Sequence, residues 1–214
     1  MNVNEIFDSI DGEGIYAGQL ATFIRLSGCN LRCGYCDTTY AFNCGEELSI
    51  DEILSKVKEI NNKHITLTGG EPLIHKDVDI LIKELCQRNY IVNIETNGSV
   101  DVKDFQNENT IITMDYKTIS SGENSKMNRE RIESLRRYDV LKIVCKESDF
   151  DDIKDMIKNT DVKSYIYLSP IYNKIEPIRL VEFLKELRDK RITNRARMQL
   201  QLHKLIWRPE ERGV

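Results

Sequence analysis

No apolar stretch of this chain approaches the roughly 18 residues needed to cross a bilayer. Its first residues, MNVNEIFDSIDGEG, carry neither the basic nor the apolar region of a secretory signal, so a cytoplasmic location without a membrane partner is expected. Excess positive charge is also missing. With 31 Lys and Arg against 35 Asp and Glu the formal net charge is -4, which argues against direct nucleic-acid binding. Prolines number only 4, and there is no low-complexity tract, linker or fixed-period repeat, so the 214 residues are expected to form one domain, 1–214, with an ample core. Histidine is scarce, and His64 and His75 stand apart from other ligand types and read as structural.

Cysteine is better represented. In a reducing compartment the 6 cysteines read as metal ligands or buried thiols rather than as disulfides. Cys86, on an apolar helical stripe, and Cys145, ending a strand, read as core residues. Cys29, Cys33 and Cys36 lie in the stretch CNLRCGYCDTT, close enough for one loop to wrap one metal site. Three thiolates do not close such a site, because structural zinc takes four protein ligands and most cubane clusters take four cysteines. Either a further residue such as Cys44 completes a zinc site, or one metal position is left open. Structural zinc usually draws on two separate cysteine pairs, which weighs toward the open position. Tyr35 could shield a cluster or simply pack the loop.

Elsewhere the pattern alternates. LATFIRL, 20–26, reads as a buried strand feeding the cysteine loop. Ser49 to Glu52 form a capping box that opens a helix through Ile53, Leu54 and Val57. Strands follow at 64–68, 90–94, 110–114, 140–144, 164–168 and 198–202, with helical segments after 77, near 128–138, at 148–158 and after Pro177. This rhythm predicts an α/β fold with a parallel sheet and right-handed crossovers, and it suits an incomplete TIM-type barrel, an open doubly wound sheet being the alternative. Arg25, the cysteines, Thr68 to Glu71, Glu95 to Asn97, Asp115 to Lys117, Ser169, Gln201 and His203 all fall at or beyond the carboxyl ends of these strands. Ligands bind at that edge in parallel α/β folds.

The CxxxCxxC loop after the first strand, with Gly69-Gly70-Glu71-Pro72 after the second, resembles the radical S-adenosylmethionine superfamily. The resemblance implies a 4Fe-4S cluster on Cys29, Cys33 and Cys36, whose free iron is chelated by S-adenosylmethionine. Reduction then yields a 5'-deoxyadenosyl radical that takes a hydrogen from the substrate.

A narrower resemblance spans nearly the whole chain. Glu5-Ile6-Phe7, the turn Ser9 to Gly14 with Gly18, Phe23-Ile24-Arg25, Cys36-Asp37-Thr38, Glu95 to Gly98, Gln201 to Lys204, Trp207 and Arg212-Gly213-Val214 are similar to the 7-carboxy-7-deazaguanine synthase family. It implies ring contraction of 6-carboxy-5,6,7,8-tetrahydropterin to 7-carboxy-7-deazaguanine with loss of ammonia, in queuosine and deazapurine synthesis, by a carbon-nitrogen lyase. It also implies Mg2+, a homodimer, and an electron donor of flavodoxin or ferredoxin type.

Carried over residue by residue, Ile10, Asp11, Gly12, Glu13, Arg25, Thr68, Thr96, His203 and Val214 would meet the substrate, in short N-terminal and C-terminal segments and along the strand ends. Glu13 would take the donor edge of the pterin, and Arg25 its carboxylate, unless Arg25 is simply a strand-end salt bridge. Tyr35, Asp37, Gly70, Glu71, Asp115, Tyr116 and Lys117 would face the cofactor, with a surface ion pair the plain alternative for Asp115 and Lys117. Thr38 would ligate Mg2+ or merely cap the loop.

Asp11 stands where relatives commonly carry glutamine, and Asp115-Tyr116-Lys117 where they carry serine-proline-lysine. Competing readings are a glycyl-radical enzyme activase, which shares the cluster loop, and a non-catalytic zinc- or cluster-bearing binding module. The SIDGEG turn and the QLHK segment favour a small heteroaromatic substrate.

Overall fold

The computed structural model describes residues 1–187, 192, 194–208 and 211–214. Its strands are β1 (Asn2–Ile10), β2 (Leu20–Leu26), β3 (Glu46–Glu47), β4 (His64–Gly69), β5 (Ile91–Thr96), β6 (Thr110–Asp115), β7 (Val140–Cys145), β8 (Tyr165–Pro170) and β9 (Ala196–Met198). The helices are α1 (Ile50–Ile60), α2 (Val78–Gln87), α3 (Arg129–Glu133), α4 (Phe150–Asn159), α5 (Pro177–Glu186) and α6 (His203–Ile206). One sheet of 9 strands runs in the order β3-β1-β2-β4-β5-β6-β7-β8-β9. From β2 to β9 every neighbouring pair is parallel, and β1 runs antiparallel to both β2 and β3. The sheet does not close on itself, so the expected incomplete barrel is what forms.

Strand periodicity explains how this sheet builds both a core and a site. Ile24 and Leu26, Ile65 and Leu67, Val92 and Ile94, Ile112 and Met114, Leu141 and Ile143 all belong to the apolar core, together with residues of the helices. The residues between them carry polar groups: Arg25, Thr66, Thr68, Asn93, Glu95, Thr113, Asp115 and Lys142. Because successive side chains leave a strand on opposite faces, the concave side of the sheet is polar while the helix side is apolar. Within the concave side Thr113 donates to Asn93 at 2.8 Å, and Thr66 to Asp11 at 2.6 Å, so buried polar groups pair with one another.

Helix α1 begins where the capping box was read. Ser49 Oγ accepts from the backbone N–H of Glu52, whose carboxylate takes the Ser49 N–H at 2.8 Å. Its buried stripe, Ile53, Leu54 and Val57, covers the sheet, and truncating such a core leucine to alanine costs about 2–5 kcal/mol. Cys145 is buried at the end of β7 and Cys86 lies on α2, as expected of core thiols.

Three strands and one helix differ from the sequence reading, the helical segment near 128–138 being only Arg129–Glu133. Strands β1 and β3 lie on the antiparallel side of β2, where polar and apolar residues mix without clean alternation. The last strand is Ala196–Met198, not 198–202. Residues past it are drawn away from the sheet by the N-terminal turn: Leu202 N–H donates to Gly12 at 3.0 Å, Gly14 N–H to Gln199 Oε1 at 2.7 Å, and Gln199 Nε2 to Gly14 at 2.9 Å. His203 therefore opens α6 instead of ending a strand.

Candidate active site

The carboxyl ends of the parallel strands surround a cavity of about 730 Å3. One wall is the loop after β2, with Cys29, Cys33 and Cys36 all on the cavity surface. The loop is pinned at its start, by Gly28 N–H to Ala41 at 2.8 Å, and between the cysteines, by Gly34 N–H to Ser121 at 2.9 Å. Asn97 Nδ2 lies 3.8 Å from Cys29 Sγ. Cys44 is exposed and does not line the cavity; its carbonyl accepts from Asn4 and Ser27.

The glycine turn after β4 has a structural reason. A Cβ on Gly69 would lie 2.1 Å from the Leu26 carbonyl oxygen, and one on Gly70 would lie 2.0 Å from the Gly28 carbonyl oxygen and 2.8 Å from Cys29 Cβ. Glu71 N–H then donates to Gly28 at 2.8 Å. The turn thus serves as backing for the cysteine loop. Glu71 itself is fully buried and does not line the cavity: its carboxylate accepts from Leu73 N–H, Thr96 Oγ1 and Asn97 N–H at 3.0, 2.9 and 2.6 Å. Burial pushes its carboxyl up, against those three hydrogen bonds.

Lining the same cavity, near enough for Lys117 and Asp115 to act on Cys33, is a buried ionic network. Lys142 Nζ is 2.9 Å from Glu13 Oε2 and 3.5 Å from Asp115 Oδ2, and Lys117 Nζ is 3.0 Å from that same Asp115 oxygen. Asp115 and Lys142 are register partners on β6 and β7, so the sheet itself brings them together. Burial alone would lower the Lys142 ammonium, but Glu13, Asp115 and Glu95 outweigh it and hold it well above the usual lysine range. Glu13 Oε1 and Asp115 Oδ1 are buried without a hydrogen-bond partner among the described residues. Tyr116, between Asp115 and Lys117, turns the other way: it belongs to the core, and its hydroxyl meets Asp152 at 3.3 Å. The plain alternative of a surface pair for Asp115 and Lys117 does not hold, since both side chains are largely buried and line the cavity.

A third wall comes from the chain's two ends. Ile10, Gly12 and Glu13 line the cavity beside His203 and Val214. A Cβ on Gly12 would lie 2.4 Å from His203 Nδ1, so a side chain there would displace the His203 ring. Burial holds His203 below the ordinary imidazole range, against the charges of Glu13 and Asp37. Asp37 accepts from Lys204 at 2.8 Å and lies 4.0 Å from His203. Half of the Asp37 side chain is accessible, but to the cavity it lines; burial there raises its carboxyl, and Lys204 with His203 overcomes this and holds it well below the usual range.

Arg25, Thr38, Thr68, Thr96 and Tyr35 complete the lining. Arg25 Nε donates to Glu5 at 2.7 Å, and Tyr40 donates to the same Glu5 oxygen at 2.8 Å. Thr38 Oγ1 donates to Asp37 at 3.0 Å and Thr68 Oγ1 to Glu95 at 2.9 Å. Asp11 lies beneath the lining, nearly fully buried. Burial pushes it up to about 7, against the Thr66 hydrogen bond and with the charge of Glu95 adding to the rise. Lys142 and Tyr40 escaped the sequence reading. The signal for Lys142 was a lone cation inside the apolar strand VLKIVC.

The donor set fits an iron-sulfur cluster. Three thiols share one wall of a roomy cavity while the fourth nearby cysteine faces away, which leaves a metal corner for a ligand that is not protein. Burial pushes the Cys33 thiol up to about 11, and the Lys117 charge opposes that rise, favouring the thiolate that binds metal.

Comparison with known proteins agrees with this geometry. The Radical SAM superfamily model matches residues 23–184, most of the chain, and the class carries a 4Fe-4S cluster and S-adenosylmethionine. The 7-carboxy-7-deazaguanine synthase of Clostridium acetobutylicum is 40% identical over 99% of this chain and 98% of its own, and that of Chlorobaculum tepidum 37% identical over 100% and 97%. The crystal structure of QueE from Escherichia coli shares the fold, with a TM-score of 0.72 at 24% identity over 94% of each chain. The chain belongs to the 7-carboxy-7-deazaguanine synthase family of radical SAM enzymes.

Proposed function

We propose that this chain converts 6-carboxy-5,6,7,8-tetrahydropterin to 7-carboxy-7-deazaguanine with loss of ammonia, acting as a carbon-nitrogen lyase in deazapurine and queuosine synthesis. The observation that carries the reading is the meeting, in one cavity, of the three-cysteine wall with Glu13, Arg25 and the chain's C-terminal segment.

When bound, the cluster and S-adenosylmethionine supply abstraction of a hydrogen atom from the substrate. The protein's part is to hold, orient and exclude water. Cys29, Cys33 and Cys36 hold the cluster. Among the described residues Arg25 commits only Nε to a hydrogen bond, with Glu5, which leaves its terminal fork for the substrate carboxylate. Glu13 offers its unpartnered Oε1 to the donor edge of the pterin.

Ile10, Gly12, Thr68, Thr96, His203 and Val214 frame the same ligand from β1, the strand ends and the C-terminal segment, with Asp11 bracing the turn from beneath. Tyr35, Asp37, Gly70, Asp115 and Lys117 face the cofactor side, and Glu71 fixes the turn that carries Gly70. Thr38, with water and substrate oxygens, is the Mg2+ ligand. The chain acts as one domain and as a homodimer in the cytoplasm, with a flavodoxin or ferredoxin as donor. Among its described residues no helix is long and apolar enough to cross a membrane.

The test is anaerobic turnover of the reconstituted, reduced enzyme with S-adenosylmethionine, Mg2+ and the carboxy-tetrahydropterin. Carboxy-deazaguanine is the expected product. Formation of 5'-deoxyadenosine with no deazapurine would overturn the substrate and keep the class.

A further inference from the structure

We propose that Lys142 is a positioning residue, which holds Glu13 ionised and turned so that one carboxylate oxygen faces the ligand, and which ties Glu13 to Asp115 on the cofactor side. This rests on the reading of the cavity as a pterin site, and the experiment separates the two.

Lys142 reaches the cavity from the middle of β7, where the neighbouring residues Leu141 and Ile143 are fully buried in the core. A lysine in such a place is stable only when its charge is matched. It meets Glu13 Oε2 at 2.9 Å and Asp115 Oδ2 at 3.5 Å, so a single ammonium spans the turn after β1 and the end of β6. Each carboxylate is thereby divided. The lysine-bound oxygen is fixed, while Glu13 Oε1 and Asp115 Oδ1 remain buried and unpartnered among the described residues, on walls of one cavity. Buried acceptors left in this state are paired by whatever occupies the space, and a ligand with two adjacent N–H donors fits a carboxylate so held.

The charges around Lys142 make its role specific. Glu13 from the turn, Asp115 from β6 and Glu95 from β5 face it as anions, while Lys117 is the other cation beside Asp115. Asp37 from the cysteine loop and His203 from α6 also feel its charge. Without Lys142, Asp115 keeps Lys117 at 3.0 Å, whereas Glu13 has no other lysine or arginine in ion-pair contact among the described residues. Glu13 would then keep its charge only at a desolvation cost, which favours its protonated form. Its acceptor capacity for the ligand falls with that proton.

The experiment compares cluster-reconstituted wild type, Lys142→Met, Glu13→Gln and the double variant. Affinity for the carboxy-tetrahydropterin, measured between pH 6 and about 9, should show in wild type only the dependence that Asp11 contributes to all four proteins. In Lys142→Met it should fall about tenfold or more at pH 7 and recover as pH rises. The double variant should match Glu13→Gln and lose the added pH dependence, which is the pattern of two residues acting as one unit. On acidification of ligand-free Lys142→Met an infrared band of a protonated carboxyl should appear in addition to the Asp11 band that all four proteins share, and this extra band should be absent from the double variant, whatever the true ligand.

Wild type that fails to bind the pterin while the infrared pattern appears would defeat the substrate and keep the positioning role. A Lys142→Met enzyme with full cluster content, no pH dependence of affinity beyond that of wild type and no new carboxyl band would overturn the proposal.

Discussion

Gly70 stands so close to the cysteine loop that a side chain there would drive a Cβ to 2.0 Å from the Gly28 carbonyl oxygen. The glycine turn and the cluster loop are therefore one packed unit, and the identity of the first is dictated by the position of the second. Gly70→Ala must push the loop aside, at about 1–3 kcal/mol for overpacking. The expected result is a lower melting temperature together with reduced iron uptake on reconstitution, measured by thermal unfolding and iron assay. Wild-type iron content in that variant would count against the unit.

Removing one ligand should be decisive. Cys33→Ala is expected to lose the visible absorption of a cubane cluster, whereas Cys44→Ala, altered outside the cavity, should reconstitute as wild type. Iron and sulfide counts on both variants check it, and a full cluster in Cys33→Ala would refute the ligand set.

Glu5 anchors Arg25 through Nε and Tyr40 through its hydroxyl. Glu5→Ala should leave Arg25 mobile and raise KM for the carboxylate substrate by about tenfold, with a smaller change in kcat. Steady-state kinetics with saturating S-adenosylmethionine read the difference. An unchanged KM would return Arg25 to a purely structural role.

Asp11 gives a pH prediction with a definite sign. Its carboxyl is pushed up to about 7 in the folded protein, chiefly by burial, against an unfolded value near 3.8. The folded state thus binds the proton more tightly, so this group's contribution to stability is full below about 4 and is lost as pH rises to about 7. Asp11→Asn, which keeps the acceptor for Thr66, should stabilise the protein by roughly 2 kcal/mol more at pH 8 than at pH 5. Denaturant unfolding at the two pH values measures it, and a gain independent of pH would contradict it.

What could be read from the sequence followed local rules. The capping box at Ser49, the parallel strands before the last and the cysteine trio each carry their information within a few residues, and each lies where it was expected. What escaped depends on partners far along the chain. β1 has no clean alternation because it lies on the antiparallel side of β2, beyond the parallel array, and Ile6 and Phe7 are only partly buried. The alternation of Gln199 to His203 reads as a strand, yet Gln199 and Leu202 are held by the turn at Gly12 and Gly14 and the backbone leaves the sheet. Lys142 was visible as a charge in an apolar strand, but its match with Asp115 follows only from strand register.

The clasp between Gln199 and Gly14 links residues 185 positions apart. The turn bearing Glu13 is thus held by an amide that comes from beyond β9, on the far side of the whole strand array. The three-cysteine wall is drawn from one short loop, whereas the chamber as a whole needs the turn after β1 and the segment beyond β9 together. Loosening the clasp should therefore show first in the grip on substrate and leave the metal wall in place.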